Sequence, residues 1–240
     1  MQRDVHNVIA ENLARVRGQK AEAARRAGRR PDEVAVVGVT KYVDADLARA
    51  LFDAGLHDLA ESRPQELWQK AEALRDRDVC WHQVGHIQRN KVRRTVPVVG
   101  LLHSLDSPRL AAVLDEQAGR LGRTLPALIE VNISGDEAKH GFMPDDVEPL
   151  LDDLAGFKNL RIRGLMTMAA LEGGPERARR DFARLRGLRD RLKQNCPAGI
   201  TLDELSMGMS ADFHEAIAEG ATIVRIGTAL FEGAMGRSLQ

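Results

Sequence analysis

Lys41 is the residue whose type and setting most invite chemistry. It ends the stretch Glu33-Val34-Ala35-Val36-Val37-Gly38-Val39-Thr40-Lys41, and no residue from Val34 to Thr40 is charged. Such a run reads as a strand buried on both faces. A lysine at the carboxyl end of a buried first strand stands where α/β proteins keep their sites. Desolvation there lowers an ammonium's pKa, and the neutral amine can attack a carbonyl. The competing reading is a lysine that snorkels to solvent.

Two other stretches could hold an anion. Ser206-Met207-Gly208-Met209-Ser210 and Arg225-Ile226-Gly227-Thr228 put glycines and hydroxyl side chains just ahead of helical patterns. Backbone N–H groups can approach a phosphate closely in such turns. Ordinary turn chemistry explains either alone; their occurrence as a pair favours phosphate. Three histidines, His82, His86 and His103, raise the question of a metal. Gly85 and the strand-like 81–84 run deny His82 and His86 a shared helical face. Hydrogen bonding or packing is their default role, and no metal is expected. Gly208-Met209-Ser210 is not a nucleophile elbow, because Asp212 takes the place of the last glycine.

The elements that must position these residues alternate regularly. Val5, Val8, Ile9, Leu13 and Val16 recur at helical spacing, predicting an amphipathic helix over residues 4–27, with Gly28 at its C-cap. After the 34–40 strand come predicted strands at 56–59, 79–84, 98–103, 125–133, 162–168, 201–206 and 222–226. Helices are expected between them at 44–54, 65–75, 90–94, from Ser107-Pro108 onward, at 145–154, 175–193 and 210–219, with Ser210 as an N-cap. A short last helix starts at Thr228. Eight strands alternating with helices predict an α/β fold, a (β/α)₈ TIM barrel with an extra N-terminal helix. The single domain spans residues 1–240, close to the roughly 250 typical of that fold. The absence of GxGxxG after the first strand lowers the doubly wound alternative.

Composition excludes several classes. Lys plus Arg and Asp plus Glu each number 35, so nothing suggests a nucleic-acid stripe or an acidic-membrane binder. Cys80 and Cys196 lack CxxC spacing, which fits a reducing cytosol. There is no apolar leader at residues 1–12 and no run near the roughly 20 residues that span a bilayer. The expectation is a cytoplasmic protein with no membrane partner.

Six motifs in order carry a resemblance. They are Val39-Thr40-Lys41, Glu61-Ser62-Arg63-Pro64-Gln65-Glu66, Trp81-His82-Gln83-Val84-Gly85-His86-Ile87-Gln88-Arg89-Asn90-Lys91, Gly164-Leu165-Met166-Thr167-Met168, Leu205-Ser206-Met207-Gly208-Met209-Ser210 and Val224-Arg225-Ile226-Gly227-Thr228. Together they resemble the pyridoxal phosphate homeostasis proteins, the single-domain relatives of the alanine racemase barrel, over residues 34–233. The resemblance implies pyridoxal 5′-phosphate held as a Schiff base on Lys41. It implies that Ser206, Gly227 and Thr228 contact the phosphate and that Arg225 faces the pyridine nitrogen. The family usually has Asn where this chain has Ser62, which puts any contact of that side chain in question.

Racemisation needs a proton-transfer group on each face of the substrate. Lys41 could be one. In alanine racemase the other is a tyrosine contributed across a dimer that has a C-terminal β domain, for which this sequence leaves no room. Its one tyrosine, Tyr42, is adjacent to Lys41, and on an extended backbone the two would point to opposite faces. The expectation is therefore a non-catalytic protein that holds and releases the cofactor, a monomer or weak dimer, serving recipient enzymes. Two alternatives are a racemase-like enzyme of low activity and a Schiff-base aldolase acting on a phosphosugar.

Overall fold

The computed structural model describes residues 4–136, 139–170 and 172–234. Helix α1 (Val5–Arg26) comes first. The Asp4 carboxylate caps it, accepting from the His6 N–H at 3.1 Å. Gly28 follows its end with φ +70°, a conformation open to glycine at little cost. Ile9, Leu13, Val16, Ala23 and Ala24 form its buried face.

Eight parallel strands then close into a barrel in sequence order. They are β1 (Ala35–Val39), β2 (Asp58–Glu61), β3 (Cys80–Gln83), β4 (Val99–Leu105), β5 (Leu125–Glu130), β6 (Leu160–Met166), β7 (Glu204–Ser206) and β8 (Ile223–Ile226), with β8 pairing back to β1. The helices between and after them are α2 (Ala45–Asp53), α3 (Pro64–Ala73), α4 (Val92–Thr95), α5 (Pro108–Arg120), α6 (Val147–Ala155), α7 (Gly174–Lys193), α8 (Phe213–Ala218) and α9 (Thr228–Phe231). This is the (β/α)₈ barrel with an N-terminal helix that the alternation predicts. Among the described residues no helix is long and apolar enough to cross a membrane.

The core has two layers. Val37, Ala60, Leu128, Met166 and Ile223 lie inside the barrel, while a larger cluster that includes Leu13, Leu51, Leu67, Leu114, Phe182 and Leu205 packs between strands and helices. Strand alternation makes the split. Ala60, inside, pairs with His82, and Leu59, outside, pairs with Trp81. Each fully buried Leu or Phe contributes about 1.5–3 kcal/mol. The outer layer therefore carries most of the stability, and the lumen is free to hold polar groups.

Three boundaries differ from the periodicity. β2 runs from Asp58 to Glu61 rather than over 56–59, because two of its polar residues sit on the lumen side or at the strand end, where an apolar pattern is blind to them. β7 keeps only three residues, Glu204–Ser206. α8 starts at Phe213 after Asp212, so Ser210 is not its N-cap.

Helix α1 also fixes the last turn of the barrel. Asn12 Nδ2 donates to the carbonyls of Leu230 (3.2 Å) and Glu232 (2.9 Å), and Arg15 pairs with Glu232 at 2.9 Å.

Gly164 faces Glu204 across the β6–β7 ladder, and a Cβ there would stand 2.0 Å from the Glu204 carbonyl oxygen. Gly164→Ala should lower the urea midpoint by the equivalent of about 1–3 kcal/mol. An unchanged midpoint would mean that the two strands are not this close.

Candidate functional site

The chain leaves the sheet at Val39, and Thr40 is the last buried residue before the exposed Lys41 and Tyr42. Lys41 and Tyr42 then lie in a turn, and Lys41 is exposed. The desolvated strand end expected for Lys41 is thus not what the backbone provides. The opposed arrangement of Lys41 and Tyr42 is overturned as well. It assumed extended backbone, whereas the turn puts Lys41 Nζ 4.8 Å from the centroid of the Tyr42 ring.

A buried network holds the backbone just ahead of Lys41. Lys70 of α3 donates to the Thr40 carbonyl at 2.7 Å and pairs with Glu61 Oε1 at the end of β2. The Thr40 hydroxyl donates to the same Glu61 oxygen at 2.6 Å. The Lys70 side chain is 5% exposed and that of Glu61 0%. A buried pair of this kind holds only where further hydrogen bonds offset the loss of water. The sequence carried a signal for it: Leu67, Lys70 and Leu74 recur at the spacing of one helix face.

The two turns expected to hold an anion meet, but not as predicted. Asp212 Oδ1 accepts the Met209 N–H at 2.6 Å. Ser210 Oγ accepts instead from the N–H groups of Gly227 (3.2 Å) and Ala229 (3.4 Å). Gly227 and Thr228 line the cavity at this end of the barrel. Ser206 does not line it. Its side chain is buried, and its Oγ lies 2.8 Å from both Arg225 Nη1 and His103 Nδ1.

Arg225 pairs with Val37 across β8 and β1, so it faces the lumen. Its Nη1 also donates to the Ser206 carbonyl at 2.8 Å, and Nη2 donates to that of Thr167 at 2.9 Å. Burial pulls its pKa down to about 10, against the opposing pull of Asp212 and Glu130; it stays protonated at neutral pH. Behind it a polar axis descends through the barrel. His103 Nε2 lies 2.9 Å from His82 Nδ1, and His82 Nε2 lies 3.1 Å from Asp58 Oδ1. Burial, then His82 and Arg225, hold His103 well below 6.5, so it is neutral. One assignment of protons satisfies every partner: Ser206 Oγ–H donates to His103 Nδ1, His103 Nε2–H to His82 Nδ1, and His82 Nε2–H to Asp58. The third histidine stands apart, with His86 Nδ1 2.5 Å from Asp106 Oδ2.

The cavity these residues enclose measures about 440 Å³. Lys41, Tyr42, Ser62, Ser210, Arg225, Gly227 and Thr228 supply its polar groups; Val39, Val43, Val84, Met168, Met209 and Phe231 supply apolar walls. Gly85 belongs to the same wall, and a Cβ there would stand 2.4 Å from the Ser62 carbonyl oxygen, so no larger residue fits without a backbone shift. A second concavity of about 520 Å³ lies at the other end of the strands, between α3, α4 and the starts of β3 and β4; Trp68, Arg75, Arg93 and Arg94 line it. Of the five residues singled out from sequence, the structure brings Lys41, Arg225, Gly227 and Thr228 to one cavity and puts Ser206 behind Arg225. The sequence put Ser210 in an anion-holding turn but as a helix N-cap and set Tyr42 opposite Lys41; it gave no sign of the Glu61–Lys70 pair as a pair.

The family pattern of the alanine racemase N-terminal domain matches residues 12–234 of this barrel. Pyridoxal phosphate homeostasis proteins are similar over nearly their full length. That of Aquifex aeolicus is 41% identical over 221 residues, covering 92% of this chain and 96% of the relative. That of Escherichia coli K12 is 35% identical over 232 residues, covering 94% and 96%. PipY of Synechococcus elongatus PCC7942, solved with PLP bound, superposes with a TM-score of 0.83 at 36% identity, covering 93% of this chain and 99% of that one. The chain belongs to the pyridoxal phosphate homeostasis protein family. An alanine racemase from Clostridium difficile 630 shares the fold at 16% identity, with a TM-score of 0.71 over 94% of this chain.

Lys70→Met should destabilise the protein by about 3–5 kcal/mol, because it leaves the Glu61 carboxylate buried and unpaired. The double variant Glu61→Gln/Lys70→Met should recover much of that loss in urea unfolding; no recovery would mean that the pair does not interact as drawn. Burial, with a further push from Asp106, raises Glu130 from its ordinary 4.5 to about 7. The folded state then binds a proton that the unfolded chain has already lost. This contribution is fully present below 4.5 and disappears as pH rises through about 7. Unfolding midpoints of Glu130→Gln should fall less steeply than those of the parent across that window.

Proposed function

We propose that this chain binds pyridoxal 5′-phosphate at the carboxyl-terminal mouth of its barrel, as a Schiff base on Lys41, and holds and releases it without catalysis of its own. The observation that carries this reading is the convergence in one cavity of an exposed primary amine, a backbone N–H cradle and a buried guanidinium. The name shared by the relatives and the PLP-bound PipY structure supply the identity of the ligand.

The residues fit the group part by part. Gly227 and Ala229 donate two N–H groups to the Ser210 hydroxyl, which leaves its own O–H to donate to an anionic oxygen. Ser210, Gly227 and Thr228 are thus the phosphate residues in this reading, and Ser206 acts one step back by orienting Arg225. Pyridoxal phosphate supplies an aldehyde that condenses with a primary amine and a ring that can withdraw electrons. Lys41, held at its turn by the Thr40–Glu61–Lys70 network, offers the amine. Arg225 is committed to Thr167 and Ser206 and stays protonated. It would donate toward the ring nitrogen and could not take a proton from it, which would keep the ring a weak electron sink.

Two features support holding over turnover. A racemase needs proton donors on both faces of its substrate. Tyr42, the one phenol available, stacks against Lys41 on the same wall, and no histidine or carboxylate is among the described cavity-lining residues. Exposure of Lys41 at an open mouth also suits exchange of the cofactor with an incoming amine. In this reading the protein is a cytoplasmic monomer that passes cofactor to recipient pyridoxal-phosphate enzymes.

Purified protein should absorb as a cofactor imine, lose that band on borohydride reduction, and carry the added mass on Lys41 in peptide mapping. Mass on another lysine, or no band after adding pyridoxal phosphate, would sink the assignment. Lys41→Ala should lose covalent attachment and keep phosphate-driven binding. Ser210→Ala should weaken binding by about 1.5–3 kcal/mol, the worth of a hydrogen bond to a charged group. Amino-acid α-proton exchange in heavy water separates holding from catalysis: clear turnover abolished by Lys41→Ala would replace this reading with a weak racemase.

A further inference from the structure

The polar axis below Arg225 ends at the amino-terminal mouth of the barrel in a cluster that the cofactor reading does not use. Asp58 opens β2 and Cys80 opens β3; the two are direct partners in the β2–β3 register. His82 stands two residues beyond Cys80 on the same face. Ala60, two residues beyond Asp58 and paired with His82, belongs to the interior cluster, so all three side chains enter the lumen.

We propose that Asp58, Cys80 and His82 form a binding site for a single zinc-like divalent cation. Their ligand atoms all lie within 4.8 Å of one another. His82 Nε2 is 3.1 Å from Asp58 Oδ1 and 3.5 Å from Cys80 Sγ. Bond lengths of about 2.0–2.1 Å to N, 2.0–2.2 Å to O and 2.3 Å to S give a tetrahedral zinc site edges of about 3.3 Å (N to O) and about 3.6 Å (N to S). The protein therefore already holds these atoms near the separations a zinc ion demands. A thiolate, an imidazole and a carboxylate together select zinc over magnesium or calcium.

The surroundings agree. A metal-bound histidine is usually oriented by a hydrogen bond from its other nitrogen, and His82 Nδ1 is held 2.9 Å from His103 Nε2. Ligation through Nε2 puts the remaining His82 proton on Nδ1, and His103 Nε2 accepts it once the His103 proton moves to Nδ1, facing Ser206 Oγ, the reverse of the metal-free tautomers. The Cys80 thiol gives its proton to solvent as the sulfur–metal bond forms. Solvent reaches the cluster, because Cys80 is exposed and the Asp58 side chain is 45% exposed. Burial, then the Asp58 carboxylate, pushes the Cys80 thiol up to about 11, a cost that the sulfur–metal bond must offset. The other histidine–carboxylate group, His86, Asp106 and His140, is less suited. Its two imidazoles stack with centroids 4.4 Å apart and planes 12° from parallel, so their in-plane lone pairs do not converge.

The test is titration of the purified full chain with cobalt(II), followed by competition with zinc. The expected result is one cobalt per chain, with the intense visible bands of four-coordinate cobalt and a thiolate charge-transfer band, both displaced by zinc. Cys80→Ser should remove the charge-transfer band and weaken zinc binding about tenfold or more. Asp58→Asn, at a half-exposed position, should weaken it comparably and stands in if Cys80→Ser does not fold. His86→Ala should leave the bands intact. No such bands in the parent protein, bands that survive Cys80→Ser, or bands lost in His86→Ala would each overturn the proposal.

Discussion

A guanidinium buried inside a barrel must find its acceptors on the barrel itself. Arg225 finds them on two neighbouring segments, at the Thr167 carbonyl and at the carbonyl and hydroxyl of Ser206. Those contacts tie β8 to the ends of β6 and β7, where the turns around the cavity begin. Burial in the low-dielectric lumen, with smaller pushes from His82 and Arg225, keeps His103 neutral, so it can serve as both donor and acceptor. The interior of this barrel is thus a column of directed hydrogen bonds flanked by a few aliphatic side chains.

The lysine is positioned by different means. Lys41 itself makes few demands on the fold, standing exposed in a turn beside Tyr42. Precision comes from the residue before it, whose carbonyl and hydroxyl are both tied into the buried Glu61–Lys70 pair. An exposed amine on a rigid root can reach and release a ligand without reorganising the protein, and its root is costly to move. The last turn of the barrel follows the same logic. Asn12 and Arg15 of α1 grip the chain just past the Gly227–Ala229 cradle. The helix that precedes the barrel therefore buttresses the last element of the site.

Much of this was legible in the sequence. Alternation of short apolar runs with helical periods predicted eight strands, their order and the extra helix. Lys41, Arg225, Gly227 and Thr228 were readable because strand ends are where a parallel barrel gathers its chemistry, and the motifs around them resemble one family. Lys70 was readable in principle from its place on the apolar face of its helix.

What the sequence could not supply was decided by three-dimensional closure. Ser206 and Ser210 sit in one short turn and look alike as residues. Only β7 ending at Ser206 sends one hydroxyl into the lumen, and only Asp212 taking the Met209 N–H leaves the other free to meet Gly227. Tyr42 was misplaced because an extended backbone was assumed where the chain turns. Asp58, Cys80 and His82 came together through strand register, a pairing between β2 and β3 that no local pattern encodes. Periodicity reports which face a residue takes relative to its sequence neighbours. Which residues share that face across the sheet depends on register and on where each strand ends, and those are set only when the barrel closes.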